Sequence, residues 1–173
     1  MRLLALAVVA CHAHAAPPLA NQRASPPPAT FEVTLARTGC FGTCPSYTVT
    51  IHADGSVDWA GEAYVAEVGA RHGRIDAEGF ARLQRAIEKV RFFELDSNGQ
   101  LPQHFGCTTK SGKTECNFPD IVICTDTPVA TITIKRNGTS HSVANDHCRR
   151  IGVELLEDEI DEVAHTRRWI GPR

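Results

Sequence analysis

Period-two alternation of apolar residues restricts this chain more than any other feature. Phe31, Val33 and Leu35 alternate with Glu32 and Thr34, and Tyr47, Val49 and Ile51 alternate with Thr48, Thr50 and His52. Val57 and Trp59 continue the pattern across Asp54-Gly55. Successive strand side chains point to opposite faces, so such segments form a sheet with one buried and one polar face. The turn then fixes the register. With Ala53-Asp54-Gly55 as a three-residue loop and Gly55 left-handed, Ile51 faces Val57 and Val49 faces Trp59; a two-residue loop would set Ile51 against Asp58. A fourth strand is expected over Tyr64 to Arg71, entered through Gly61-Glu62.

A second hairpin is signalled by Thr131 to Arg136, Asn137-Gly138 and Thr139 to Ala144, because Asn-Gly accepts the two positive φ angles of a type I′ turn. That register sets Ile132 against Val143 and, carried further, Cys148 against Thr127, so a Cys124–Cys148 bridge could close the open end. Helical spacing appears twice. Asp76 stands as N-cap before Phe80, Leu83, Ile87 and Val90, with Ile75 placed to staple onto Phe80, which predicts a helix over about 77 to 90. Val153, Leu156, Ile160 and Val163 predict a second helix, whose six acids among residues 154–162 read as a solvated face with basic His165, Arg167 and Arg168 at its end. Residues 96–123 lack periodicity and read as a long loop that a Cys107–Cys116 bridge could tie down. The order ββββ-α-loop-ββ-α gives an α+β fold, an antiparallel sheet of about six strands with two helices on one face.

The N-terminus reads as a processing signal. Arg2 precedes the apolar run Leu3 to Ala10, and Ala13-His14-Ala15 is an Ala-x-Ala cleavage site, so residues 1–15 read as a signal peptide. Eight apolar residues are too few for a bilayer span of roughly 20. Val8-Val9-Ala10-Cys11 also fits a lipobox, in which Cys11 would carry lipid. Residues 16–29 are rich in proline and form a tether, which leaves 30–173 as a single domain. Both routes lead out of the cytoplasm, to the periplasm, the outer membrane or beyond, and membrane contact is expected only through a lipid anchor.

Seven cysteines would leave one unpaired, but cleavage or lipidation removes Cys11 from the count. Cys40, Cys44, Cys107, Cys116, Cys124 and Cys148 remain as disulfide candidates for an oxidising compartment. Cys40-Phe41-Gly42-Thr43-Cys44-Pro45 suggests thiol redox chemistry, yet redox pairs are Cys-x-x-Cys at a helix N-terminus, and this Cys-x-x-x-Cys lies between two strands. No Cys-x-x-Cys pair supports zinc, so no metal or cofactor is expected. Ser111-Gly112-Lys113-Thr114 imitates the end of a phosphate-binding loop, but the required glycine is replaced by Cys107. Nucleophile-elbow and His-Glu-x-x-His motifs are missing, and no catalytic set can be assembled. A formal net charge of −2 argues against nucleic acid. His147 reads as a surface histidine, and Tyr47, Trp59, Tyr64 and Trp169 as packing in or around the core.

The run Arg37-Thr38-Gly39-Cys40-Phe41-Gly42-Thr43-Cys44-Pro45-Ser46-Tyr47, followed by Val49, Ile51, Asp54-Gly55 and Val57, resembles an uncharacterised bacterial family of exported or lipoprotein domains classed as domains of unknown function. The resemblance continues through Phe92-Phe93, Cys124 to Pro128, the Asn137-Gly138 hairpin and Glu157 to Trp169. It implies an envelope domain with no assigned activity and no catalytic residues. The chain is therefore expected to be a non-enzymatic, disulfide-stabilised interaction module whose partner is an envelope protein or ligand, with thiol–disulfide exchange at Cys40 and Cys44 as the alternative.

Overall fold

The computed structural model describes residues 30–99, 106–117, 126–147 and 152–172. Strands β1 (Phe31–Arg37), β2 (Ser46–His52), β3 (Ser56–Ala63) and β4 (Gly69–Arg74) precede helix α1 (Ala77–Lys89) and a single 3-10 turn. A small hairpin of β5 (Gly106–Lys110) and β6 (Lys113–Asn117) follows, then β7 (Ala130–Arg136), β8 (Thr139–Asn145), α2 (Glu154–Val163) and the short α3 (Arg167–Ile170). The main sheet is antiparallel in the order β4-β3-β2-β1-β7-β8, with β5-β6 as a separate two-stranded sheet. This is the α+β class the alternation predicts.

Ile51 pairs with Val57 and Val49 with Trp59 across a loop whose Gly55 has φ 81°, and Ile132 pairs with Val143. Odd-numbered residues of β1 and β2 and even-numbered residues of β7 thereby share one face with the helices. Val33, Leu35, Val49, Ile51, Ile132 and Ile134 there are at most 1% exposed, packed with Leu83, Leu156 and Ile160. The opposite face carries threonine and serine, with Thr34 bonded to Thr50 and Thr133 to Ser142.

Four expectations are corrected. Tyr64 does not begin a strand: β3 runs on to Ala63, residues 64–68 fold back as a loop, and β4 starts only at Gly69. Gly61 permits this, since a Cβ there would lie 2.1 Å from the Glu67 carbonyl oxygen, which also accepts the Trp59 indole N–H at 3.0 Å. The stretch 96–123 is not loop throughout, because β5 and β6 pair across Ser111-Gly112, whose φ angles of 52° and 78° make the same mirror-image turn as Asn137-Gly138. The terminal helix is two, separated where His165 takes φ 54°. Tyr64 is 60% exposed, whereas Tyr47, Trp59 and Trp169 are buried.

The β5–β6 register sets Cys107 opposite Cys116. The proposed Cys124–Cys148 bridge, Cys11, the signal segment 1–15 and the tether 16–29 lie outside the described residues.

Candidate functional site

At one end of the sheet the core-facing row turns polar. Tyr47, Arg37, Ala130 and Asn145 are successive register partners across β2, β1, β7 and β8. Alternation keeps all four on the helix side, and Ala130 leaves room for its long neighbours. α2 lies over this row. Glu157 and Asp161, one turn apart, point at it from the helix face that also carries Leu156 and Ile160.

Both carboxylates are heavily bonded. Arg37 donates Nη1–H to Glu157 Oε2 at 2.9 Å, and Nε–H and Nη2–H to Asp161 Oδ2 at 3.1 and 2.9 Å. Asn145 Nδ2 donates to Glu157 Oε1 at 2.7 Å, and His147 Nε2 lies 2.9 Å from Glu157 Oε2. The Tyr47 and Thr166 hydroxyls donate to Asp161 Oδ1 at 2.7 and 2.8 Å. Glu157 is 1% exposed, so the expected solvated acidic face fails at this residue, and half-buried His147 is no surface histidine.

Burial alone would lower the affinity of the Arg37 guanidinium for its proton, but Asp161, Tyr47 and Glu157 outweigh it and hold the pKa above the ordinary value. Burial, then the Asp161 carboxylate, push the Tyr47 hydroxyl above the ordinary tyrosine range, against the pull of Arg37. Every oxygen of the two carboxylates already accepts a hydrogen bond. The cluster therefore ties α2 to the sheet through a shared hydrogen-bond network.

Two loops leave the sheet at this same end. Residues 38–45 join β1 to β2 and are closed by a Cys40–Cys44 disulfide with Cα atoms 5.5 Å apart. Phe41, inside that ring, is 91% exposed. The loop base is pinned to the irregular segment 126–129 just before β7, since Thr38 N–H donates to Val129 O at 2.9 Å and Val129 N–H to Thr38 Oγ1 at 3.1 Å. Residues 64–68, with Tyr64 and Val68 about as exposed as each other at 60% and 61%, are pinned to the C-terminal helix, as Ala66 N–H donates to Ile170 O and Glu67 N–H to Trp169 O. A cleft of about 540 Å³ opens beside Arg37 and Tyr47 and is bounded by Asp158, Asp161, Glu162, Thr166, Arg167, Ile170 and Gly171.

A protein-family model described as a domain of unknown function (DUF6438) matches residues 31–164. The chain belongs to that family. Its match begins at β1 and ends just after α2, so it takes in the disulfide loop, the polar row and both carboxylates. A search of curated proteins finds no match for this DUF6438 domain.

The other residues of interest are dispersed. His52 and His72 flank Asp58 on the open sheet face at 2.9 and 2.8 Å, and these two hydrogen bonds hold the Asp58 carboxyl below its ordinary range. His141 lies 2.9 Å from the Leu95 carbonyl oxygen. Ser111-Gly112-Lys113-Thr114 forms a hairpin turn. Among the described residues no group of three or more His, Cys, Asp or Glu is arranged to hold a metal ion, and no helix is long and apolar enough to cross a membrane.

From the sequence alone, Arg37 has no role beyond heading the family run, Asn145 has none, and Glu157 and Asp161 read as part of a solvated acidic helix face. A signal was present: Arg37 extends the buried alternation of Val33 and Leu35, Asn145 that of Val143, and Glu157 lies between Leu156 and Ile160.

Proposed function

We propose that this domain is a non-enzymatic interaction module of the cell envelope, which docks a protein partner through the sheet end formed by loops 38–45 and 64–68. The observation that carries this reading is Phe41, an aromatic side chain 91% exposed on a loop closed by a disulfide. Exposing a phenyl ring to water is unfavourable, and interfaces concentrate binding energy in a few aromatic anchors that enter a pocket of the partner. A five-residue ring also fixes the anchor before binding, which lowers the entropy lost on association. The export signal in the sequence supports this setting, since a Cys40–Cys44 bridge persists in an oxidising compartment. Cys40 and Cys44 precede a strand, without the helix dipole that activates a redox thiol.

The test is a photoreactive benzoylphenylalanine placed singly at position 41, 64 or 133 of the full chain in an exporting bacterial host. One adduct of the same mass from positions 41 and 64, and none from Thr133 on the open face, supports docking through this end. Equal labelling from position 133, or none from 41, overturns it.

A further inference from the structure

The two ring nitrogens of His147 both face acceptors. Nδ1 lies 3.0 Å from the Pro128 carbonyl oxygen and Nε2 lies 2.9 Å from Glu157 Oε2. A carbonyl oxygen has no proton to give, and Glu157 is already accepting from Arg37 and Asn145. A neutral imidazole carries one N–H and one lone pair, so it can satisfy only one of these contacts and aims its lone pair at an oxygen in the other. An imidazolium satisfies both.

The charges facing His147 agree. Among the described residues, α2 sets the Glu157 carboxylate directly against His147, and the Arg37 guanidinium of β1 bonds to that carboxylate and to Asp161 beyond it, whose other partner is the neutral Tyr47 hydroxyl of β2. Among the described residues of this network, one guanidinium stands against two carboxylates where Glu157 is 1% exposed, and a second proton on His147 adds a cation beside Glu157.

We propose that His147 is a proton-operated pin for the docking end. When doubly protonated it ties α2 to the 126–129 segment through Pro128. That segment holds Thr38 through the paired Val129 contacts, and Thr38 begins the disulfide loop that carries Phe41. His147 itself sits at φ 56°, a conformation that side chains rarely adopt, held by its N–H donating to Asn145 Oδ1 at 2.9 Å. Loss of one ring proton turns one of the two contacts repulsive, releases the 126–129 segment, and loosens the base of the loop. The switch concerns regulation of the surface proposed above and rests on that reading for its purpose; its chemistry does not.

The experiment uses the full chain with ¹⁵N-labelled histidine rings, followed by NMR across the range in which imidazoles change charge, about pH 5 to 8. At its acid end the His147 ring shows two protonated nitrogens. Amide hydrogen exchange at Thr38 and Val129, corrected for the intrinsic pH dependence, is measured on the same samples. Exchange at both amides accelerates about tenfold as the ring loses one proton, the loss of a single charge-assisted hydrogen bond, and His147→Gln, which has no such proton, shows no step. A neutral single tautomer throughout, or a step that persists in His147→Gln, overturns the proposal. Docking and pin fail separately: crosslinking from position 41 that ignores pH removes the pin alone, whereas an exchange step without crosslinking removes the docking surface alone.

Discussion

Glu157 decides how tightly α2 is held, because it is the most deeply buried charge of the polar row and meets donors from β1, β8 and the residue two beyond β8. Glu157→Gln keeps the shape but withdraws the charge that balances Arg37 and turns one acceptor oxygen into a donor. Breaking a buried pair on one side costs about 3 kcal/mol, and urea denaturation should show it as a lower midpoint at unchanged slope. Tyr47 makes a pH prediction. Its folded pKa is raised, so its contribution is complete below the ordinary tyrosine value of about 10 and is lost as pH rises above it, because the unfolded chain releases a proton that the folded chain keeps. Tyr47→Phe retains the ring stacked at 4.5 Å on Trp59 but should show a flatter alkaline limb in stability measured from pH 8 to 11. A flatter limb in Tyr64→Phe, with none in Tyr47→Phe, would contradict it. These roles were half legible in the sequence. The periodicity placed Tyr47 inward, but Arg37 at the same period reads as the end of a strand until its partner is known, and that partner lies 120 residues away.

Elements were legible where local chemistry alone decides them. Asp76 caps α1 as its position before Phe80 implies, accepting the Gly79 N–H at 2.8 Å. Asp76→Ala should therefore lower stability by about 1 kcal/mol while Asp76→Asn changes it little, by thermal or urea unfolding. The two three-residue and Asn-Gly turns read correctly because glycine and asparagine state their φ requirements locally. β4 did not, since its start is set by a tertiary event: the loop 64–68 folds over Gly61 so that Glu67 can accept the Trp59 indole. Gly61→Ala puts a methyl group 2.1 Å from that carbonyl and should displace the loop, with loss of near-ultraviolet ellipticity from Trp59 and Trp169 ahead of any change in sheet content. β5 and β6 escaped notice for another reason. Their residues show no apolar alternation, so only the Ser111-Gly112 turn marked them.

On the scale of the whole molecule, the core and the proposed docking end are different parts. The core joins the inward face of the six-stranded sheet to α1, α2 and Trp169, while Cys40, Phe41 and Cys44 lie outside it. Removing the bridge by Cys40→Ser with Cys44→Ser releases a small ring, worth about 2 kcal/mol in the unfolded chain by loop-closure entropy, and should leave the sheet intact by circular dichroism. Phe41→Ser removes a side chain that is 91% exposed, and a change within about 0.5 kcal/mol is expected, as for surface positions. Crosslinking from position 64 then separates the two contributions. If preorganisation and the aromatic anchor both matter, the stable Phe41→Ser chain and the loosened double-serine chain each lose the adduct, although only the second has lost stability. If the bridge is a redox centre, the outcome inverts: Phe41→Ser keeps its function, the double-serine chain loses it, and the wild-type bridge opens in a mild thiol buffer while the domain is still folded. A structural bridge in this loop stays oxidised under the same conditions until the sheet itself unfolds.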